Sequence, residues 1–182
     1  MLRRKHLTTF EIEKMLEATA NSSNHQRNYC LLLMCFLHGA RVSEIISWRL
    51  SDIDFNAGHI YIKRLKNGFS TVHPLITREK RVLKTWLQVR ETYPNHQSDY
   101  LFISRKGTPL SRQQVYLLVK RYSAMAAISI QAHPHMLRHS CGYALADRGI
   151  DTRLIQDYLG HRNIRHTVVY TASNPERFRN VW

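Results

Sequence analysis

Hydrophobic period changes once along this chain and then changes back. Over most of its length apolar residues recur three and four apart, the spacing of one helix face. Between Asp52 and Leu75 they recur at every second residue instead. Asp52-Ile53-Asp54-Phe55 alternates, Asn56-Ala57-Gly58 turns, and His59-Ile60-Tyr61-Ile62-Lys63 alternates again. Lys66-Asn67-Gly68 makes a second turn, and Phe69 to Leu75 returns. Alternating runs separated by Asn- and Gly-containing turns predict a small three-stranded antiparallel sheet. Helices bracket it. Thr8-Thr9-Phe10-Glu11 is a capping box opening the first, and the second runs from about Asn24 to Leu37 and stops at Gly39. Others are expected over Val42–Trp48, Thr77–Thr92, Ser111–Ala127, Pro134–Arg148, Asp151–Leu159 and Ile164–Tyr170. The expected fold is mainly α with one small antiparallel sheet, an α+β arrangement. No repeat or Pro/Gly-rich linker divides the 182 residues, so they read as one domain ending in a short tail, 174–182.

Charge narrows the class of partner. Lys and Arg number 27 against 13 Asp and Glu, a formal charge of +14, while 43% of residues are hydrophobic. A disordered basic tail is thereby excluded, and nucleic acid leads an acidic membrane surface as the anionic partner. No acidic residue occurs from Tyr100 to Ala146, a stretch holding Arg105, Lys106, Arg112, Lys120, Arg121 and Arg138. The basic start, Met1 to His6, is not followed by a signal-peptide core. The longest apolar run, Tyr29 to Leu37, is nine residues, too short to span a bilayer and suited to a buried helix centre. Three cysteines without a CxxC pair fit a reducing cytoplasm.

The densest chemical cluster is His133-Pro134-His135-Met136-Leu137-Arg138-His139. Pro134 suits a first helical turn, and His135 shares a face with both Arg138 and His139. The His pair invites a metal reading. However, the zincin pattern needs Glu directly after the first His, where Met136 stands, and Arg138 repels a cation. No metal and no cofactor are expected. No GxxxxGK[ST] string occurs either.

The rest of the set gives the cluster its meaning. Upstream lies Gly39-Ala40-Arg41-Val42-Ser43-Glu44-Ile45; downstream lie Tyr158-Leu159-Gly160-His161 and Val168-Val169-Tyr170, with Lys66 on the hairpin turn between. Arg41, Lys66, His135, Arg138, His161 and Tyr170, in that order, resemble the active-site set of the tyrosine recombinase (phage integrase) family. The resemblance covers about Thr8 to Ala172. It implies the catalytic-domain fold of that family, cleavage through a 3′-phosphotyrosine, and double-stranded DNA as partner. Family members usually carry a separate core-binding domain ahead of the catalytic one, and only seven residues precede the first predicted helix. That shortness, with the string from Pro134 to Phe178, is similar to the short recombinases that invert a promoter segment to switch fimbrial expression. It implies a tetramer acting on two inverted repeats, with DNA-bending accessory proteins as further partners, in the cytoplasm at the nucleoid. A tail docked on a neighbouring subunit through Phe178 and Trp182 is implied as well.

Elementary chemistry fits the same residues. Cutting a phosphodiester without a metal needs other cations at the phosphate, and Arg binds it bidentately. Arg41 and Arg138 take that part and His161 adds a donor. The Tyr170 phenol, ordinarily near pKa 10, attacks; His135 is the candidate base and Lys66 the candidate acid. Glu44 either orients a neighbouring cation or is merely solvated. His139 is a candidate for contacting the phosphate or fixing Arg138. Further DNA contacts are expected from Lys63, Arg64, Arg105, Lys106, Arg112, Gln113, Lys120, Arg121 and His139. Two rivals remain open: a type IB topoisomerase-like relaxing enzyme and a non-catalytic DNA-binding regulator on the same fold.

Overall fold

A computed structural model of the chain describes residues 4–65 and 68–172. Lys66 and the tail 174–182 lie outside the described residues. Eight α-helices are described: α1 (Thr9–Glu17), α2 (His25–Leu37), α3 (Val42–Ile45), α4 (Thr77–Arg90), α5 (Arg112–Met125), α6 (Pro134–Asp147), α7 (Thr152–Leu159) and α8 (Arg165–Thr171). Strands β1 (Ile53–Asp54), β2 (His59–Ile62) and β3 (Thr71–Pro74) form one antiparallel sheet in the order β1-β2-β3. Ile53 pairs with Ile60, and Ile62 with Thr71. Among the described residues no helix is long and apolar enough to cross a membrane.

The helix starts follow from local capping. Thr8 Oγ1 accepts the Glu11 amide while Glu11 accepts the Thr8 amide, and Ser111 and Gln114 repeat the pattern at α5. Asp151 caps α7 through the amides of Arg153 and Leu154. Two segments differ from expectation. The third helix is only one turn, Val42–Ile45, and the third strand begins at Thr71 rather than Phe69. Lys63 to Leu65 and Gly68 to Ser70 accordingly lie outside the strands.

Helix α2 is the centre of the molecule. Cys30 to Cys35 are at most 1% exposed, because the helix is apolar all round and is packed on by α4 and α6. Gly39 ends it with φ 55°, and a Cβ there would lie 2.4 Å from Leu159 Cδ2. Glycine thus serves both the left-handed turn and the close approach of α7. A second, smaller core joins α6, α7 and α8: Cys141, Ala146, Ile155, Leu159 and Tyr170. The α2–α3 turn, the end of α7 and the ring-bearing faces of α6 and α8 meet at that end of α2.

Candidate active site

Arg41 stands at the start of α3 and is held by Glu44, which accepts from the Arg41 amide at 2.9 Å and from its guanidinium at 2.6 Å. Its side chain keeps 24% exposure and lines a cleft with Ser43, Arg112 and His135. Glu44 is fully buried and also meets the Arg64 guanidinium at 3.1 Å and the Leu65 amide at 3.2 Å. Burial opposes its charge. The Arg41 amide bond, then the charge of Arg64, outweigh burial and hold the carboxyl below its ordinary range. Glu44 thus orients two cations.

Arg138, on α6, is 1% exposed and donates to Gly39 O at 2.5 Å and Leu159 O at 2.8 Å. Burial, followed by the nearby charges of Arg64 and Arg41, lowers its pKa to about 10. It is still a cation at pH 7. Three guanidinium groups, Arg41, Arg64 and Arg138, therefore share one carboxylate, Glu44. Such a buried surplus of positive charge is stable only beside an anion or open water.

His161 follows α7 and is 7% exposed. Its Nδ1 lies 2.8 Å from Thr167 Oγ1 on α8, and Gln156 donates to its carbonyl at 2.9 Å. Burial, then Arg138 and Arg41, push its pKa down to about 3, so the ring is neutral at physiological pH. The neutral ring and the Thr167 hydroxyl share one hydrogen bond, in which either can be the donor.

Tyr170 is 1% exposed, buried with Thr167 and Thr171 on the inner stripe of α8. Its ring lies against Gly142 of α6, where a Cβ would come within 2.5 Å of it. The ring centroid is 6.4 Å from that of His161 and 5.2 Å from that of Tyr143. Its hydroxyl lies within hydrogen-bond distance of Nδ1 of His139, at 3.1 Å. Burial pushes the phenol up to about 12 against the pull of Arg138. Burial and the neighbouring His135 and Arg138 push His139 down to about 4. The proton therefore rests on Tyr170.

Five residues of the expected set, Arg41, His135, Arg138, His161 and Tyr170, come together; Lys66 lies outside the described residues. The ring whose nitrogen meets the phenol is that of His139. His135 is exposed at the cleft, with its centroid 4.6 Å from that of His139. The expected DNA contacts divide. Arg112 and Gln113 border a cleft of about 570 Å³ with Tyr116 and His135. Arg112, Tyr116 and Lys120 are spaced four apart on exposed α5, with the Lys120 ammonium 5.7 Å from the Tyr116 ring centre. Lys63 and Arg121 are exposed as well. Arg105 and Lys106 are exposed but lie beyond Ile103, whose carbonyl takes a bond from Arg27 near the start of α2. Twelve residues of helical rise, about 18 Å, separate that end from Gly39.

Arg64 is a correction. Its expected part was a backbone contact to DNA, yet its side chain has no exposure and it is spent on protein carbonyls and Glu44. Sequence reasoning missed it although the sheet phase shows it: Ile60 and Ile62 point inward, and Arg64 continues that parity. Among the described residues no group of three or more His, Cys, Asp or Glu is placed to hold a metal ion.

These titrations predict how stability depends on pH. His73, pushed to about 3 by burial and His38, joins His161 at about 3 and His139 at about 4. Unfolded, each titrates near 6.5. Below that value the unfolded chain binds more protons, so stability rises with pH through the window from about 3 to 6.5 and is lost on acidification. The urea midpoint should be level above pH 7.5 and fall steadily from pH 7 to 5. A midpoint unchanged over that range would contradict the assignment.

The phage integrase family profile matches residues 5–177. The chain is 58% identical over 180 residues to the type 1 fimbriae regulatory protein FimB of Escherichia coli K12, covering 99% of this chain and 90% of that one. It is 51% identical over 183 residues to FimE of the same strain, covering 100% and 92%. Among solved structures, XerA recombinase superposes with TM-score 0.83 at 25% identity, over 96% of this chain and 62% of that one. XerH recombinase bound to a palindromic difH substrate superposes with TM-score 0.81 at 30% identity, over 95% and 51%. Those two are longer proteins, of which the chain spans about half to three-fifths. Fold and sequence agree: the chain belongs to the phage integrase family and is a tyrosine-type site-specific DNA recombinase.

Proposed function

We propose that Arg41, Arg138 and His161 hold a scissile DNA phosphate and that Tyr170 attacks it. The observation that carries this reading is the cluster of three guanidinium groups around one carboxylate, beside a buried phenol. A phosphodiester supplies the missing negative charge, and preorganised donors favour the extra charge of the transition state. The Tyr170 oxygen bonds to phosphorus, the bond to the 5′ oxygen breaks, and the 3′-phosphotyrosine keeps the energy for rejoining. The phenol's proton passes to the His139–His135 pair, of which His139 touches the hydroxyl and His135 faces the cleft. Lys66 is assigned the proton for the departing 5′ oxygen. Arg112, Tyr116 and Lys120 extend a basic, aromatic stripe from the cleft along α5, suited to phosphate contact.

Similarity to FimB and FimE over nearly the whole chain supports inversion of a DNA segment that controls fimbrial expression. We further propose that the chain works on chromosomal DNA at two inverted repeats, as four copies assisted by DNA-bending proteins. The tail 174–182 is assigned to contact between those copies. The test incubates the full chain with a nicked duplex bearing candidate repeats and resolves the products on a denaturing gel. A covalent protein–DNA adduct insensitive to EDTA, with inversion on a plasmid carrying two repeats, is the expected result. An EDTA-sensitive cut without adduct overturns the chemistry. An adduct with relaxation of any supercoiled plasmid and no inversion overturns the recombination reading in favour of a relaxing enzyme.

A further inference from the structure

We infer that Arg64 is a positioning residue of the phosphate site, tying the hairpin that bears Lys66 to the segments that bear Arg41, Arg138 and His161. The inference rests on the proposed chemistry, which supplies the phosphate those segments surround.

Each bond of the Arg64 guanidinium reaches a different part of the site. One terminal nitrogen meets Glu44 Oε2 at 3.1 Å and Gly39 O at 3.4 Å. The other meets His38 O at 3.0 Å and Tyr158 O at 2.8 Å. Nε has no partner among the described residues. The carbonyls of His38 and Gly39 form the turn just before Arg41, and that of Tyr158 lies three residues before His161. Arg138 completes the lattice by binding Gly39 O and Leu159 O, so the two buried arginines grip the same turn and the same helix end from two sides. Glu44 closes the circuit: while holding Arg41 and Arg64, it accepts the Leu65 amide at 3.2 Å, one residue before Lys66.

The packing around the stem is equally close. A Cβ on Gly160 would come within 2.9 Å of Arg64 Cγ, and one on Gly68 within 2.9 Å of Arg64 Cβ. The two glycines thus both pack against this side chain, Gly160 also against Phe69 O at 2.6 Å and Gly68 against Gly160 O at 2.9 Å from the added Cβ. The two terminal nitrogens of Arg64 are already spent on four groups of its own chain, whereas Arg138 makes only two such bonds. A merely structural cation would need one anionic partner. Arg64 instead uses a planar, multi-donor head to fix four carbonyl and carboxylate groups, which a lysine ammonium cannot span.

Misplacing a reacting group by about 1 Å costs on the order of a hundredfold in rate. The experiment measures single-turnover cleavage of a nicked duplex by full-length Arg64→Met and Arg64→Lys, alongside melting temperature and the salt dependence of DNA binding. A second duplex carries sulfur in place of the bridging 5′ oxygen, a leaving group that needs no acid. Arg64→Met should cut the oxygen duplex about 100-fold more slowly and regain about tenfold of that on the sulfur duplex. The salt slope should stay that of the wild type. Arg64→Lys, which keeps a buried cation beside Glu44, should fold and lose about tenfold, so the test survives if the Met variant does not fold. A salt slope smaller by about one phosphate would instead make Arg64 a DNA contact. Cleavage by a folded Arg64→Lys at the wild-type rate, or equal loss on both duplexes, would overturn the positioning role. Failure of the wild type to form an adduct would refute the proposed chemistry itself, a separate outcome.

Discussion

Tyr170→Phe should abolish the covalent adduct altogether while leaving the chain folded and bound to its duplex. Only the hydroxyl is removed. The ring still fills the space over Gly142 and keeps its contacts with Tyr143 and His161, so the smaller core of α6, α7 and α8 stays packed. The lost bond to His139 costs about 1 kcal/mol, the ordinary net value of one hydrogen bond. Arg41, Arg138 and α5 are untouched, so DNA affinity and its salt dependence should match the wild type. The checks are a denaturing gel for the adduct and a filter or mobility assay for binding. An adduct at even a tenth of the wild-type level would place the nucleophile elsewhere.

The same geometry says why the phenol is quiet without DNA. Its pKa is raised to about 12 and that of His139 lowered to about 4, so the proton does not transfer at neutral pH. Arg138 is among the cations that hold His139 down. A phosphate bound by Arg138 adds negative charge beside it and relieves that repulsion, which raises His139 toward a useful base. Substrate and base strength are thus linked through one guanidinium.

Much of the fold was legible because its signals are local. Thr8, Ser111, Asp151 and Pro134 mark helix starts through side chains that satisfy nearby amides or need none. The change from helical to alternating spacing placed the sheet between Asp52 and Leu75. Arg41, Arg138, His161 and Tyr170 were legible as a set because their order and neighbouring strings are specific. What the sequence hid depends on contacts distant along the chain. Arg64 sits in a basic run with Lys63 and Lys66, and nothing local separates a solvated arginine from a buried one. Its fate is decided by carbonyls 25, 26 and 94 residues away. Only its parity with Ile60 and Ile62 hints at burial. His139 next to Arg138 reads as one more surface imidazole until α8 lays Tyr170 across it. Arg105 and Lys106 look continuous with Arg112, but the fold sends them to the far end of α2.

Arg138 should be the most damaging site to change after Tyr170, and for two reasons that can be separated. As the proposed phosphate ligand it would be one preorganised donor, typically worth about 10²–10³ in rate. As a structural group it satisfies Gly39 O and Leu159 O inside the protein. Arg138→Met keeps the stem and removes the charge. It leaves two buried carbonyls without this donor, a penalty of about 1–3 kcal/mol each in stability. It also removes one of the like charges crowding Arg41 and Arg64, which offsets part of that loss. Arg138→Lys keeps the charge but cannot reach both carbonyls and a phosphate at once. The expected pattern is therefore a clear drop in the urea midpoint for the Met variant and a smaller one for Lys. Adduct formation should fall at least about a hundredfold in both. Because His139 is pressed down partly by Arg138, the Met variant should also shift the acidic limb of the stability profile: His139 then protonates at higher pH, and less stability is lost between pH 7 and 5. Cleavage near the wild-type rate in Arg138→Lys would mean that charge alone serves the phosphate. The carbonyl contacts would then be incidental to catalysis, and Arg41 with His161 would have to supply the directional donors.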